Sequence, residues 1–183
     1  SGVRGGGARS GVRNGKITGM GGWGVLLDGG EVDHVQVSHC GGIGIRTGRV
    51  TQSSSKNNLL EGITLYSASA TAVIMNSEAE SNGGSAGIRC YEPACSVINN
   101  VSARNIGAGI LAQEAVVTGN TANQNGSYGI DAHTSLVSGN TATRNVAEGL
   151  RVVSSGYGNN VLADNKGTTV PADQITASSS HNF

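Results

Sequence analysis

Aromatic residues are scarce in this chain of 183 residues. One Trp, four Tyr and one Phe are present, and proline occurs only twice, whereas glycine occurs 30 times. Ordinary globular cores of this size depend on aromatic side chains. The core must therefore be filled by Val, Ile, Leu and Ala. Since the composition does not change sharply along the chain, we expect one domain.

Charge runs and long apolar runs are also missing. The charges of the 12 basic and 12 acidic residues cancel, so the net charge does not favour nucleic acid or an anionic membrane surface as a partner. No apolar stretch approaches the roughly 20 residues needed to cross a bilayer, and membrane insertion is not expected. The first ten residues resemble the remainder of an earlier coil, and we expect that a leader and earlier residues have been removed.

Cysteine is too rare for a disulfide framework. Cys90 and Cys95 flank a four-residue segment and could form one disulfide, which would favour an oxidising compartment, and Cys40 would then be left unpaired. The histidines show no metal-ligand spacing. We expect neither a metal site nor a cofactor.

Asparagine and glycine recur at an interval close to 20 residues. The asparagines form two columns, Asn100, Asn120, Asn140, Asn160 and Asn105, Asn125, Asn145, Asn165. A glycine followed by an aliphatic residue begins each unit, at Gly24, Gly44, Gly62, Gly87, Gly109, Gly129 and Gly149. This short period, with strand-like alternation, is typical of stacked β-coils in which like residues form ladders.

The positions after each glycine alternate between two faces. The first and third positions are apolar and are predicted to face inward: Val25, Ile45, Ile63, Ile88, Ile110, Ile130, Leu150 and Leu27, Thr47, Leu65, Cys90, Ala112, Ala132, Val152. A second core wall is predicted from Val35, Val37, Val73, Val97, Val116, Val117, Leu136 and Val137. The fold class is thus all-β, a single-stranded right-handed parallel β-helix of about eight coils over residues 1–165, with a C-terminal cap or tail at 166–183.

The second and fourth positions after each glycine are predicted to face solvent on one sheet. They concentrate side chains suited to a sugar chain, because tyrosine offers a flat apolar face and arginine a fork for carboxylates. The predicted substrate-binding residues are Arg46, Tyr66, Arg89, Tyr91, Gln113 and Arg151. The alternative is that these residues only keep an exposed sheet from associating.

The Asn-Thr-Ala-x-x-Asn units followed by Gly-Ile or Gly-Leu, at residues 120–130 and 140–150, resemble the parallel β-helix repeats of the pectin-lyase-like superfamily. Within them, Tyr128-Gly-Ile-Asp-Ala-His133 is similar to the Tyr-Gly-Phe-Asp-Pro-His motif of mannuronan 5-epimerases and related alginate lyases. That resemblance implies that Tyr128 and His133 act as acid and base at the C5 hydrogen of a uronate sugar. Asp131 would position or neutralise the region of the substrate carboxylate.

The sequence departs from this motif at three places. Ala132 replaces the proline, Ile130 replaces the phenylalanine, and Val153 stands in the next coil where the epimerases carry a further aspartate. The expected function is that of a secreted, extracellular or cell-surface β-helix that contacts an acidic polysaccharide, as a lyase or epimerase if it is an enzyme. The alternative is a non-catalytic adhesin, spike or scaffold.

Overall fold

The parallel β-helix predicted from the repeat is confirmed. A computed structural model describes residues 2–7, 10–66 and 72–167, and in these ranges every strand pairing is parallel. About eight coils of roughly 20 residues stack along one axis. Among the described residues, no helix has the length and apolar character needed to span a membrane.

Each complete coil contains up to three short strands. In chain order the strands are β1 (Val3–Gly6), β2 (Gly11–Thr18), β3 (Val25–Asp28), β4 (Glu31–Ser38), β5 (Ile45–Thr47), β6 (Arg49–Thr51), β7 (Ser54–Lys56), β8 (Ile63–Leu65), β9 (Val73–Met75), β10 (Glu78–Glu80), β11 (Ala86–Cys90), β12 (Cys95–Ile98), β13 (Val101–Ala103), β14 (Ala108–Gln113), β15 (Ala115–Thr118), β16 (Thr121–Asn123), β17 (Ile130–His133), β18 (Leu136–Ser138), β19 (Thr141–Thr143), β20 (Leu150–Val153), β21 (Gly156–Gly158) and β22 (Val161–Ala163).

The strands form two sheets. The first strands of the coils make an eight-stranded sheet in the order β1-β3-β5-β8-β11-β14-β17-β20. The second and third strands make a 14-stranded sheet that is continuous through the long strand β4, which pairs with β6 along its first half and with β7 along its second. The eight-stranded sheet therefore presents one uninterrupted outer face along the helix axis.

Left-handed backbone turns form the corners between strands. Between the second and third strands of successive coils, the corner residues are Asn99 (φ 54°), Gly119 (φ 67°), Gly139 (φ 65°) and Asn159 (φ 53°). Glycine adopts this conformation freely and asparagine tolerates it better than most residues. At each of these corners, one residue with a left-handed conformation thus changes the direction of the chain.

The inward-facing columns of the eight-stranded sheet are confirmed. All 14 residues predicted from the glycine spacing are buried, and none is more than 2% exposed. Because neighbouring parallel strands lie about 4.8 Å apart, identical positions pack directly over one another. This narrow aliphatic column supplies the core without aromatic residues.

The asparagine columns form hydrogen-bonded ladders inside the coils. The backbone N–H and the Nδ2 of Asn105 both donate to Oδ1 of Asn125, each at 3.1 Å, and the same Nδ2 donates to the carbonyl of Ala79. The repeated glycine makes room for this ladder, since a Cβ at Gly109 would lie 2.6 Å from Asn125 Nδ2 and 2.6 Å from the Gly129 carbonyl oxygen. Glycine and asparagine therefore recur together because they pack against each other.

The predicted second wall is correct only in part. Val35, Val37, Val97, Val117 and Val137 are buried. Three residues were assigned wrongly: Val116 and Leu136 are exposed, and Val73 is half-buried while its neighbour Ile74 is buried. A strand sends adjacent side chains to opposite faces, so only one residue of each adjacent apolar pair can enter the core.

The division into a β-helix at 1–165 and a cap at 166–183 stays a prediction. Strands β20, β21 and β22 continue the coils to Ala163. Residues 168–183, which make up most of the predicted cap, lie outside the described residues.

Candidate functional site

The outer face of the eight-stranded sheet gathers the residues predicted to act on substrate. Parallel register places Thr64 between Arg46 and Arg89, and Asp131 between Leu111 and Arg151. Two positions further along the chain, Gln113 and His133 end their strands, while Tyr66 and Tyr91 directly follow the ends of β8 and β11. Short parallel strands with a common register thus bring together residues that are up to 105 positions apart in the sequence.

Four side chains at one end of this face form a connected group, here called the Asp131 cluster: Tyr128, Asp131, His133 and Arg151. Asp131 Oδ1 lies 3.1 Å from His133 Nε2, and Asp131 Oδ2 accepts a hydrogen bond from Arg151 Nη1 at 3.4 Å. The guanidinium carbon of Arg151 lies 5.1 Å from the centre of the Tyr128 ring. Asp131 thus contacts His133, and both Asp131 and Tyr128 contact an arginine of the next coil.

Asp131 is buried, which the alternating pattern did not predict. It belongs to a column expected to face solvent, yet the residue is only 6% exposed. Its side chain does leave the outer face of the sheet, where it is covered by neighbouring side chains including His133 and Arg151. A carboxylate shielded in this way can hold its partners in one orientation.

A second group on the same face, here called the Arg46 pocket, encloses about 280 Å³. The guanidinium carbon of Arg46 lies 5.4 Å from the Trp23 ring centre and 4.1 Å from that of Tyr66, while Arg89 lies 4.6 Å from the Tyr91 ring centre. Its other lining residues are Ile43, Thr64, Leu65 and Glu92. Arg46, Arg89 and Arg151 of the outer face are therefore each stacked on a tyrosine.

Trp23 and Glu61 were missed by the sequence reasoning. Trp23 precedes the repeated Gly24, and its side chain packs against the next coil. A Cβ added at Gly42 of that coil would lie 2.2 Å from Trp23 Cδ1. Glu61 precedes Gly62, accepts a hydrogen bond from Ser85 at 2.8 Å and lies 3.5 Å from Arg89. Both occupy the segments before the repeated glycines, so the alternation of strand positions contained no signal for them.

A disulfide joins Cys90 and Cys95 at the edge of the Arg46 pocket. Cys90 points inward between the outward residues Arg89 and Tyr91, so the bond closes the turn that begins with Tyr91 and Glu92. Cys40 is free, as expected, and it is buried.

A larger concavity lies on a different face. It encloses about 1050 Å³ over the third strands and is lined by polar residues such as Lys16, His34, Gln52 and Asn76. Nearby, hydrogen bonds and ion pairs with Lys56 and then Arg104 lower the pKa of Glu80 to about 2. None of the residues that line this trough in the described ranges is Phe, Tyr or Trp. It does contain ion pairs, since His34 lies 3.0 Å from Asp33 and Lys56 lies 2.7 Å from Glu78.

The chain matches a known family over most of its length. Residues 13–179 fit the family model described as "Periplasmic copper-binding protein (NosD)". The chain belongs to the NosD family. No curated protein sequence matches the chain.

Among solved structures, this NosD-family chain is similar to the A-module of mannuronan C-5 epimerase AlgE6 from Azotobacter vinelandii. The TM-score is 0.56 and the sequence identity is 14%, and the match covers 92% of this chain and 54% of that one. The chain thus spans about half the length of this solved structure. At such low identity the likeness shows the fold alone.

The NosD family description names copper, but the described residues do not fit a copper site. Copper takes imidazole, thiolate or thioether ligands in close groups. Nowhere in the described ranges do three or more His, Cys, Asp or Glu side chains gather as a metal site. His34 pairs with Asp33 and His133 with Asp131, while two of the three cysteines form the disulfide. His181 lies outside the described residues.

Proposed function

We propose that this NosD-family β-helix binds a uronate polysaccharide along its eight-stranded sheet and removes the C5 proton of one sugar, as an epimerase or a lyase. The observation that carries the proposal is the contact of Asp131 with both His133 and Arg151. These contacts supply a positioned base and a cation beside it. The C5 hydrogen of a uronate is weakly acidic, and its removal requires both groups.

Asp131 determines which nitrogen of His133 can act as the base. An ionised carboxylate only accepts hydrogen bonds, so the Nε2 that faces Asp131 Oδ1 at 3.1 Å carries the hydrogen. In the neutral imidazole, Nδ1 then keeps its lone pair. This is the orienting role of aspartate in acid–base triads. Nδ1 of His133 therefore takes the proton from the sugar.

Arg151 and Tyr128 supply the other two groups that the reaction needs, a cation for the substrate carboxylate and a proton donor. Arg151 has one Nη1 contact with Asp131, so its other N–H groups are available for the substrate carboxylate. When C5 loses its proton, the electron pair moves into that carboxylate, where arginine stabilises the added charge. An epimerase then returns a proton to C5 from Tyr128 on the opposite face. A lyase breaks the C4–O bond, and the departing oxygen receives the proton.

A non-catalytic polysaccharide-binding function is the second candidate. Val153 lies beside His133 in register, where the resemblance leads us to expect a further aspartate. Arg151 also forms an ion pair with Asp131, which reduces the positive charge available to a substrate. These two features favour a surface that binds polysaccharide without altering it.

An assay on defined polymers separates the two candidates. We expect incubation with polymannuronate or polygalacturonate to produce unsaturated ends, seen by ultraviolet absorbance, or a changed C5 configuration, seen by proton magnetic resonance.

His133→Gln and Tyr128→Phe should each reduce the rate by about a hundredfold or more. Arg144→Gln is the matched control, because Arg144 is exposed and its ion-pair partner within the described ranges is Asp164, at 3.9 Å. If the unaltered protein converts neither polymer but binds one of them, the enzymatic proposal is wrong.

Two observations support a proposal on the location of the protein. The disulfide between Cys90 and Cys95 requires an oxidising compartment to form and persist, and the family description names the periplasm. We infer a location in the cell envelope or outside the cell. Fractionation of cells that produce the protein from its native gene tests this inference.

A further inference from the structure

The Arg46 pocket contains a cation without a carboxylate partner among the described residues. Arg46 lies between the rings of Trp23 and Tyr66, with its guanidinium carbon 5.4 and 4.1 Å from their centres. Stacking on an aromatic face leaves the in-plane N–H groups of a guanidinium free. Arg89 is different, because Glu61 lies 3.5 Å from it. Arg46 is therefore the arginine of this pocket that forms no ion pair among the described residues, and the carboxylate of Glu92 also lines the pocket.

A buried hydroxyl lies between the two arginines. Thr64 is the register neighbour of both Arg46 and Arg89 and lines the pocket. Its Oγ1 is buried and has no hydrogen-bond partner in the part of the chain that the structure describes. A buried hydroxyl without a partner is costly. A carboxylate that binds between the two guanidinium groups can accept a hydrogen bond from this hydroxyl.

The size and charge of the pocket limit what it can bind. About 280 Å³ is at the small end of ligand pockets, which suits one sugar ring. Glu92 lines the pocket and repels a second negative charge, while its carboxylate can accept hydrogen bonds from hydroxyl groups. A uronate sugar has this combination of one carboxylate and several hydroxyl groups.

We propose that the Arg46 pocket is a separate, non-catalytic subsite that binds the carboxylate of one uronate sugar of the polysaccharide. This proposal rests on the proposed function for the identity of the polymer. Thr64 and Asp131 are three strand steps apart on the sheet, which corresponds to roughly 14 Å. The sugar bound at Arg46 is therefore a few units away from the sugar at His133, and the two sites share one polymer that runs along the helix axis.

Trp23 is the only tryptophan in the chain, so its fluorescence reports directly on this pocket. We expect a galacturonate tetramer to change the Trp23 emission in a saturable manner, and the fully methyl-esterified tetramer to have no such effect. Arg46→Gln should weaken binding by at least about tenfold, since a hydrogen bond to a charged group is lost. Thr64→Val should weaken binding severalfold, and Arg144→Gln should leave it unchanged.

The variant His133→Gln separates this proposal from the proposed function. It should lose conversion of the polymer and still show the full Trp23 response to the tetramer. Conversion of polygalacturonate without any Trp23 response, or equal binding by the unaltered protein and Arg46→Gln, would overturn the subsite while the proposed function stands. A saturable Trp23 response without conversion of any uronan supports the subsite and contradicts the enzymatic reaction. Equal binding of the esterified tetramer would show that the carboxylate is not recognised, which also overturns the proposal.

Discussion

Thr47 is the one polar member of the inward-facing third column, whose other members are Leu27, Leu65, Cys90, Ala112, Ala132 and Val152. It is fully buried, and its Oγ1 has no hydrogen-bond partner among the described residues. Thr47→Val keeps the shape and removes the unpaired hydroxyl. We therefore expect the free energy of unfolding to rise by about 1 kcal/mol. Denaturant unfolding followed by circular dichroism measures the change.

Ser55→Ala is the control for this prediction. Ser55 is also buried, but its hydroxyl donates to the Gly62 carbonyl at 2.6 Å and accepts from Asn58 Nδ2 at 3.0 Å. Its removal should lower the free energy of unfolding by about 1 to 2 kcal/mol. A loss of stability in Thr47→Val as well would mean that the Thr47 hydroxyl has a partner.

Glu80 makes the stability depend on pH. Hydrogen bonds from Lys56 and then Arg104 lower its pKa from 4.5 to about 2. A carboxylate with a lowered pKa stabilises the fold above its unfolded pKa, and this contribution disappears as the pH falls from about 4.5 to about 2. Glu80→Gln should therefore be less stable at pH 7 by about 1 kcal/mol, the order expected for a partly exposed ion pair.

Thermal unfolding of the unaltered protein and Glu80→Gln over a series of pH values measures this difference. The two midpoints should converge towards pH 2. A constant gap at every pH would show that the ion pairs of Glu80 do not cause the difference.

At the scale of the repeated element, the asparagine ladder is more important than the charged contacts. Asn125 accepts hydrogen bonds from the backbone and side-chain nitrogens of Asn105, and its Nδ2 donates to Ser102 and Asn145. Asn125→Ala leaves these buried groups without partners. We expect a loss of about 3 kcal/mol or more in the free energy of unfolding.

Asn123→Ala tests whether this loss comes from the ladder. Asn123 is two residues away and only half-buried, and its Oδ1 has no partner in the described ranges. Its replacement should change the stability by less than about 0.5 kcal/mol. Equal losses in the two variants would mean that the strand, rather than the ladder, is sensitive to substitution.

The ladders and the inward columns were predictable because coils of equal length keep every position in register. Asn120, Asn125, Asn140 and Asn145 recur at exact intervals of 20, and each lies where the interval requires. The same logic failed for Val116, because two adjacent valines carry no information on which one faces inward. The sequence of a strand shows which side chains face the core only where polar and apolar residues alternate.

The site was only partly predictable, and the reason is the variable length of the segments between strands. Successive repeated glycines are 18 to 25 residues apart in the first half of the chain, so the sequence does not show where Trp23 or Glu61 lies relative to Arg46 or Arg89. The motif at 128–133 did indicate two residues that contact each other, Asp131 and His133. It did not indicate that Asp131 is buried under Arg151, because that contact depends on side-chain directions in the next coil.

At the scale of the whole molecule, the outer face of the eight-stranded sheet predicts a dependence on polymer length. Arg46 and Arg151 are five strand steps apart, roughly 24 Å. A polymer along the helix axis must span this distance to contact both the Arg46 pocket and the Asp131 cluster. The affinity for galacturonate oligomers should therefore rise with length until both groups are engaged, and then remain constant, because two linked contacts bind more tightly than either alone.

Calorimetric titration with oligomers from dimer to decamer measures this dependence. In Arg46→Gln the gain from added length should largely disappear, whereas Arg144→Gln should reproduce the full curve. If the affinity is the same for all lengths, the two groups do not bind one chain. If it continues to rise well beyond the span of the sheet, the polymer also binds other surfaces of the coils, and its path is not confined to the face that carries His133.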